Sequence, residues 1–243
     1  KLYGARGTEL SGFLGGMVNS NFTVIELASR VGSTAGAFVD VAYRGMLLAT
    51  TAMVVRNATL LLILAPLALF SSLAAFALML VAAAALVLLS YQRRDRNAAT
   101  AAAAIKLELP FSLPLALKYG AVFLLLQIVG GLTQREFGSV GFYFVSIVGG
   151  LMSSASAVAA AATLASQGSL SPRVAGNGAL LASFTSIAFS LSFVLRTHNR
   201  GLIRKLATAM SCVALAGLLG VLIWGSVQPY MERWVPQLRE LVR

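Results

Sequence analysis

Residues 3–20 read Tyr-Gly-Ala-Arg-Gly-Thr-Glu-Leu-Ser-Gly-Phe-Leu-Gly-Gly-Met-Val-Asn-Ser, and their pattern returns further along the chain. Tyr3-Gly4-x-x-Gly7 followed by Gly15-Gly16-Met-Val-Asn-Ser20 recurs as Phe137-Gly138-x-x-Gly141 followed by Gly149-Gly150-Leu-Met-Ser-Ser154, at an offset of 134 throughout. A second block follows at offset 133: Val41-Ala-Tyr-Arg-Gly-Met-Leu-Leu-Ala-Thr50 aligns with Val174-Ala-Gly-Asn-Gly-Ala-Leu-Leu-Ala-Ser183, with six of ten positions identical. Identities at Ala and Leu carry little weight between apolar helices. Shared glycine spacing over two separated blocks carries more, and it predicts an internal repeat over about 3–65 and 137–200.

The chain around these blocks is apolar. Of 243 residues, 58% are hydrophobic and only 11% are charged, with 19 Lys and Arg against 8 Asp and Glu. A soluble domain carries about 25% charge, so this composition excludes a soluble globular fold and a disordered chain. The basic residues sit between long apolar runs and form no single solvated face, which argues against nucleic acid as a partner. Strand alternation is absent, so the expectation is an all-α, polytopic membrane protein with the lipid bilayer as its surroundings.

A helix needs about 20 mostly apolar residues to cross the bilayer. Seven stretches meet that length, at about 8–28, 38–64, 68–91, 112–132, 138–165, 174–195 and 203–226. Pro66 divides the long run 38–91. The domain reading is one membrane domain over 1–226, with repeat 1 at about 1–91, a linker at 92–111 and repeat 2 at about 112–226. A tail at 227–243 has the spacing of an amphipathic helix lying in the headgroup region. The span 112–132 precedes the second copy, so its counterpart is expected before Lys1, in an upstream membrane domain.

Orientation poses a conflict. Arg93, Arg94 and Arg96 form one basic cluster and Arg196, Arg200, Arg204 and Lys205 another. Basic loops favour the cytoplasm, yet with seven full crossings the two clusters fall on opposite sides. If 138–165 and 8–28 were re-entrant or broken, the copies would be inverted, as in many secondary transporters. Full crossing, with parallel copies, is the expectation, because both segments are long enough.

Glycines 15, 16, 149 and 150 admit close helix packing. The polar residues after them admit more. Asn19, Ser20, Asn21 and Thr23 in the first copy, and Ser153, Ser154 and Ser156 in the second, place hydroxyl and amide groups near mid-segment. Gly-Gly beside such a cluster lets a helix open and turn backbone groups toward a cavity. Two such segments meeting at the midplane would bind an oxygen-coordinated cation or a polar small molecule.

Arg56 lies within an apolar run, where a charge is costly. It is read either as an anion partner or fixed counter-charge of the site, or as a structural or snorkelling residue. Glu26 and Arg30 are spaced for a local ion pair, and Glu9 is expected at headgroup level. Cys212 and His198 are read as a helix residue and a loop residue. No paired carboxylates, phosphate-binding glycine loop or metal-ligand cluster is present in the sequence, so neither an enzyme nor a cofactor is expected.

The run Tyr3 to Ala28, Arg56, Leu109-Pro-Phe-Ser-Leu-Pro-Leu-Ala-Leu-Lys-Tyr-Gly120 and the Phe137–Leu151 block resemble the C-terminal membrane domain of unknown function found after an MgtC/SapB domain in bacterial proteins. The resemblance implies a bacterial inner-membrane location, an upstream MgtC/SapB-like domain or partner subunit, and a link to magnesium and ion homeostasis. That family often carries an acidic pair where this chain reads Ser153-Ser154-Ala155-Ser156. The resulting expectation is a transporter-like protein, with a homo-oligomer in the membrane as one arrangement, that moves a small ion, a divalent cation included, or a polar solute between two repeats. The alternative is a non-transporting interaction or regulatory module.

Overall fold

The computed structural model describes residues 5–31, 37–92, 113–197 and 199–241. His198 and the 93–112 linker lie outside them. The described chain is 96% helix without strands. Its helices are α1 (Ala5–Val31), α2 (Ala37–Leu64), α3 (Pro66–Gln92), α4 (Leu113–Ser166), α5 (Pro172–Val194) and α6 (Arg200–Leu241). Five stretches among the described residues are long and apolar enough to cross a membrane: Phe38–Leu64, Pro66–Gln92, Gly120–Ser166, Pro172–Thr197 and Arg200–Ser226. Their outward surfaces carry large apolar side chains such as Leu62, Ile63, Leu67, Leu88, Leu124 and Leu222. This is a membrane protein.

The expectation of seven full crossings is corrected at α1 and α4, which are not straight rods. In α1 the backbone leaves helical geometry at Asn19 (φ −153°, ψ 102°). There the chain doubles back. A Cβ built on Gly15 would lie 2.5 Å from Thr23 Oγ1, although residues eight apart in a straight helix are separated by about 12 Å along its axis. Gly45 on α2 likewise faces both Leu27 Cδ1 and the Thr8 carbonyl. The segment 8–28 is therefore a hairpin with arms 5–18 and 20–31. At 1.5 Å per residue these arms reach about 21 and 18 Å, short of the roughly 30 Å hydrocarbon layer. Counting residues gave the right length for a span but missed the change of direction.

Helix α4 turns twice. At Gly138 (φ 61°, ψ −152°) the backbone enters a region that only glycine occupies without strain. The helix turns back there, and a Cβ on Gly141 would meet the Thr133 carbonyl at 2.6 Å. At Ser153 (φ −163°, ψ 106°) it reverses again. Gly149 then faces Ala157 Cβ at 3.0 Å, and Gly130 faces both Phe142 and Leu164. So 113–137 crosses, while 138–152 and 154–166 form a second hairpin of short arms.

Contacts at the helix ends fix the arrangement. At one end Arg44 on α2 pairs with Glu9 of the first hairpin, Glu9 accepts from Tyr91 on α3, and Asp40 on α2 pairs with Lys205 on α6. At the other end Ser71 on α3 donates to the Pro172 carbonyl, and Phe70 stacks edge-on against Trp224. The first hairpin thus enters from the end marked by Glu9 and Asp40, and the second from the end marked by Ser71 and Trp224. Among the described residues, 113–137 and α5 cross between Gln92 and Arg196. On that count the ends of α3 and α5 lie on one side; Arg93, Arg94 and Arg96 lie outside the described residues.

Helix α6 runs unbroken to Leu241, so the tail extends this helix rather than forming a separate one. The side chains from 227 onward lie outside the described residues.

Candidate functional site

The tips of both hairpins are built alike. Asn19 is the N-cap of the arm that follows it: its Oδ1 accepts from Phe22 N at 3.1 Å, and Thr23 Oγ1 donates to the Asn19 carbonyl at 3.0 Å. Ser153 caps its own following arm, with Oγ accepting from Ser156 N at 3.3 Å. Such caps satisfy amides that a helix start leaves without partners. Each reversal therefore falls at a polar residue 134 positions from the other, four residues after the first glycine of a Gly-Gly pair.

The glycines set how closely each hairpin lies against a crossing helix. A Cβ on Gly16 would sit 2.5 Å from Ala49 Cα, and one on Gly150 would sit 2.8 Å from Ala182 Cα. Gly12 meets the Gly45 backbone, and Gly178 meets Ser146 Oγ. The first glycine of each pair has a different task. Gly15 and Gly149 leave room for Thr23 and Ala157 on the returning arms.

Between the tips lies Arg56. Its Nη1 donates to the carbonyls of Gly16, Met17 and Val18 at 3.4, 3.2 and 3.0 Å. Those carbonyls end the first arm of the first hairpin, where the reversal at Asn19 removes their helical partners. A cation there also opposes the negative pole of the arm. Arg56 Nη2 donates to Ser154 Oγ at the second tip, 3.0 Å away. Arg56 is therefore half-buried and engaged with both hairpins, and it does not snorkel to a surface.

Asn57 and α5 extend the polar centre. Asn57 Nδ2 donates to Ser183 Oγ at 2.9 Å, and Ser186 and Ser190 both donate to Asn21 Oδ1, at 2.9 and 2.7 Å. Sequence reasoning missed Asn57, Ser183, Ser186 and Ser190. The signal was available: 183, 186 and 190 form one polar stripe on a single face of a helix.

The expected site residues are distributed as follows. Arg56 brings Ser154 to the first tip. Asn21 faces α5, and Ser20 is buried in the first hairpin. Asn19, Thr23, Ser153 and Ser156 bond within their own hairpins. Glu9, expected at headgroup level, is buried against the protein at one end of the bundle and paired with Arg44 at 2.5 Å. Glu26 and Arg30 make the expected local pair at 2.6 Å. Among the described residues no three of His, Cys, Asp and Glu gather closely enough to hold a metal ion.

No curated protein and no solved structure matches the chain. Residues 1–198 match the model of a family described as a domain of unknown function, DUF4010, and the chain belongs to that family.

Proposed function

We propose that the protein is a transporter-like carrier that moves a small ion or polar solute through a centre between its two hairpin tips. The observation that carries this reading is Arg56, which joins the opened end of one hairpin to the tip of the other from within the apolar helix α2. Irregular backbone inside a bilayer is tolerated where it is buried in protein or lines a polar cavity. Two broken elements meeting at the midplane are the usual place for a transported solute.

The same geometry supports reading the chain as an inverted duplication. The hairpin at 5–31 with α2 and α3 would match the hairpin at 138–166 with α5 and α6. Gly16 against Ala49 and Gly150 against Ala182 would then be the same contact made twice. Among the described residues three crossings lie between the hairpins, α2, α3 and 113–137, and that count supports opposite orientations of the two halves.

The fixed charge of Arg56 opposes a bare divalent cation and favours a solute that offers acceptor atoms. A direct role in magnesium movement therefore has less physical support than a link through an MgtC/SapB-like partner domain, the association that the sequence resemblance implies.

A second reading is a non-transporting scaffold or regulatory module. It is favoured by the tip side chains that already bond to protein, Asn21 to Ser186 and Ser190 above all. Purified protein in sealed vesicles separates the two. A panel of inorganic ions, carboxylates and amino acids is offered by rapid solution exchange, and charge movement or uptake is recorded. A carrier gives a signal for one class of solute that Arg56→Gln and Asn19→Leu abolish in folded protein. Silence across the panel, or a signal that both variants leave intact, sinks the carrier reading.

A further inference from the structure

A cleft of about 340 Å³ opens between α2, α3 and α6, at the end of the bundle away from the second hairpin. It is separate from the polar centre around Arg56. Its walls include Asp40, Tyr43, Arg44, Leu89, Lys205 and Thr208. Both signs of charge are present. Lys205 Nζ and Asp40 Oδ1 lie 2.9 Å apart and both side chains are more than half exposed. Arg44 is buried and holds Glu9 through Nε, while its Nη2 has no hydrogen-bond partner among the described residues. A buried guanidinium N–H without an acceptor is costly.

The depth of the cleft narrows the ligand class. Asp40 is in the first turn of α2, Lys205 is near the start of α6, and Ser90 is near the end of α3. All three sit where a crossing helix passes from hydrocarbon to headgroups. On the outer side α3 presents Leu88 and Leu89, 63% and 52% exposed, as an apolar wall. A ligand filling this place needs acceptor oxygens for Lys205, a hydrogen-bonding cation for Asp40, and a hydrocarbon portion for the leucines.

We propose that this cleft is a seat for a phospholipid whose headgroup carries both a phosphate and a primary ammonium. The phosphate takes Lys205, with the positive charge of Arg44 behind it, and the ammonium takes Asp40. The acyl chains lie along Leu86 and Leu89. The ligand thereby exchanges the exposed Lys205–Asp40 pair for two charge-assisted contacts. A phosphatidylglycerol headgroup leaves Asp40 facing an anionic lipid, and a phosphatidylcholine headgroup has no N–H to donate.

Native mass spectrometry of the purified full chain tests this, with phosphatidylethanolamine, phosphatidylglycerol and phosphatidylcholine offered in equal amounts. The expected result is preferential retention of phosphatidylethanolamine. Lys205→Ala lowers retention of every phospholipid, whereas Asp40→Asn removes the preference for the ethanolamine headgroup and spares binding. Both side chains are exposed, so folding is retained, and a melting curve on each variant checks it. Equal retention of the three lipids overturns the proposal. So does preference surviving Asp40→Asn, or displacement of the lipid by inorganic phosphate, which marks a site for a soluble anion.

Discussion

Arg56 Nη2 lies 3.0 Å from Ser154 Oγ, a hydrogen bond between residues 98 positions apart that ties α2 to the tip of the second hairpin. The same guanidinium holds three carbonyls of the first hairpin. One side chain therefore fixes how the two tips face each other. Arginine suits this task because its planar fork donates in several directions at once, while a lysine ammonium is a compact point charge. Arg56→Ala should lower stability by about 3 kcal/mol, because the carbonyls it serves lose their donor. Arg56→Lys should recover part of that loss. A double-mutant cycle with Ser154→Ala should give a coupling of about 1 kcal/mol. Denaturant or thermal unfolding in detergent measures all four proteins, and zero coupling would mean that the bond does not join the tips in solution.

The glycine contacts predict a graded series. Gly16→Ala and Gly150→Ala place a methyl against the backbones of Ala49 and Ala182, which cannot give way as a flexible side chain can. Overpacking of this kind costs about 1–3 kcal/mol. Gly120→Ala meets nothing within 4 Å among the described residues and should be neutral or slightly stabilising, since alanine is the better helix former. Melting temperatures of the three variants provide the check. Equal effects at all three positions would contradict the close approach of hairpin to helix.

The buried pair at the entry of the first hairpin makes a different prediction. Arg44 and Glu9 are 4% and 5% exposed at the side chain, and Tyr91 OH donates to the second carboxylate oxygen at 2.8 Å. Removing one charge strands the other. Arg44→Met alone or Glu9→Gln alone should each cost about 3–5 kcal/mol. The double variant should recover most of the loss, because a neutral pair of similar volume needs no counter-charge. Tyr91→Phe should cost only about 1 kcal/mol.

The helical membrane class was legible because 58% hydrophobic composition leaves few alternatives. The polar residues at the tips were legible too, because Gly15-Gly16 and Gly149-Gly150 mark where a helix can open and Asn19 and Ser153 follow at the same distance. The reversals themselves were not. Hydropathy counts apolar residues along the chain and is blind to direction, so 8–28 and 138–165 looked like ordinary spans. The clue was indirect, in basic clusters that seven crossings could not reconcile. The stripe of Ser183, Ser186 and Ser190 could be read from its spacing, but its partners Asn57 and Asn21 could not, because only the packing of α1 and α2 on α5 brings them together. The partner of Glu9 was not legible, because its environment is set by Arg44, 35 positions away.

The hairpin arrangement is also open to a direct test of sidedness. Arg30 ends the first hairpin and Arg200 begins α6, with α2, α3, 113–137 and α5 crossing between them. Four crossings put both residues on one face. Were 138–166 a further full span, the count would be five and they would lie on opposite faces. Arg135 and Gln167 flank the second hairpin and should share the other face. The experiment uses single cysteines at these four positions in a Cys212→Ala background, because the native thiol is exposed on α6. A membrane-impermeant maleimide added to sealed, oriented vesicles should label 30 and 200 together, and should reach 135 and 167 only after the vesicles are opened, or the reverse if the vesicles face the other way. Labelling that separates 135 from 167 would show that the chain passes through the bilayer between them, and the hairpin at Ser153 would have to be abandoned.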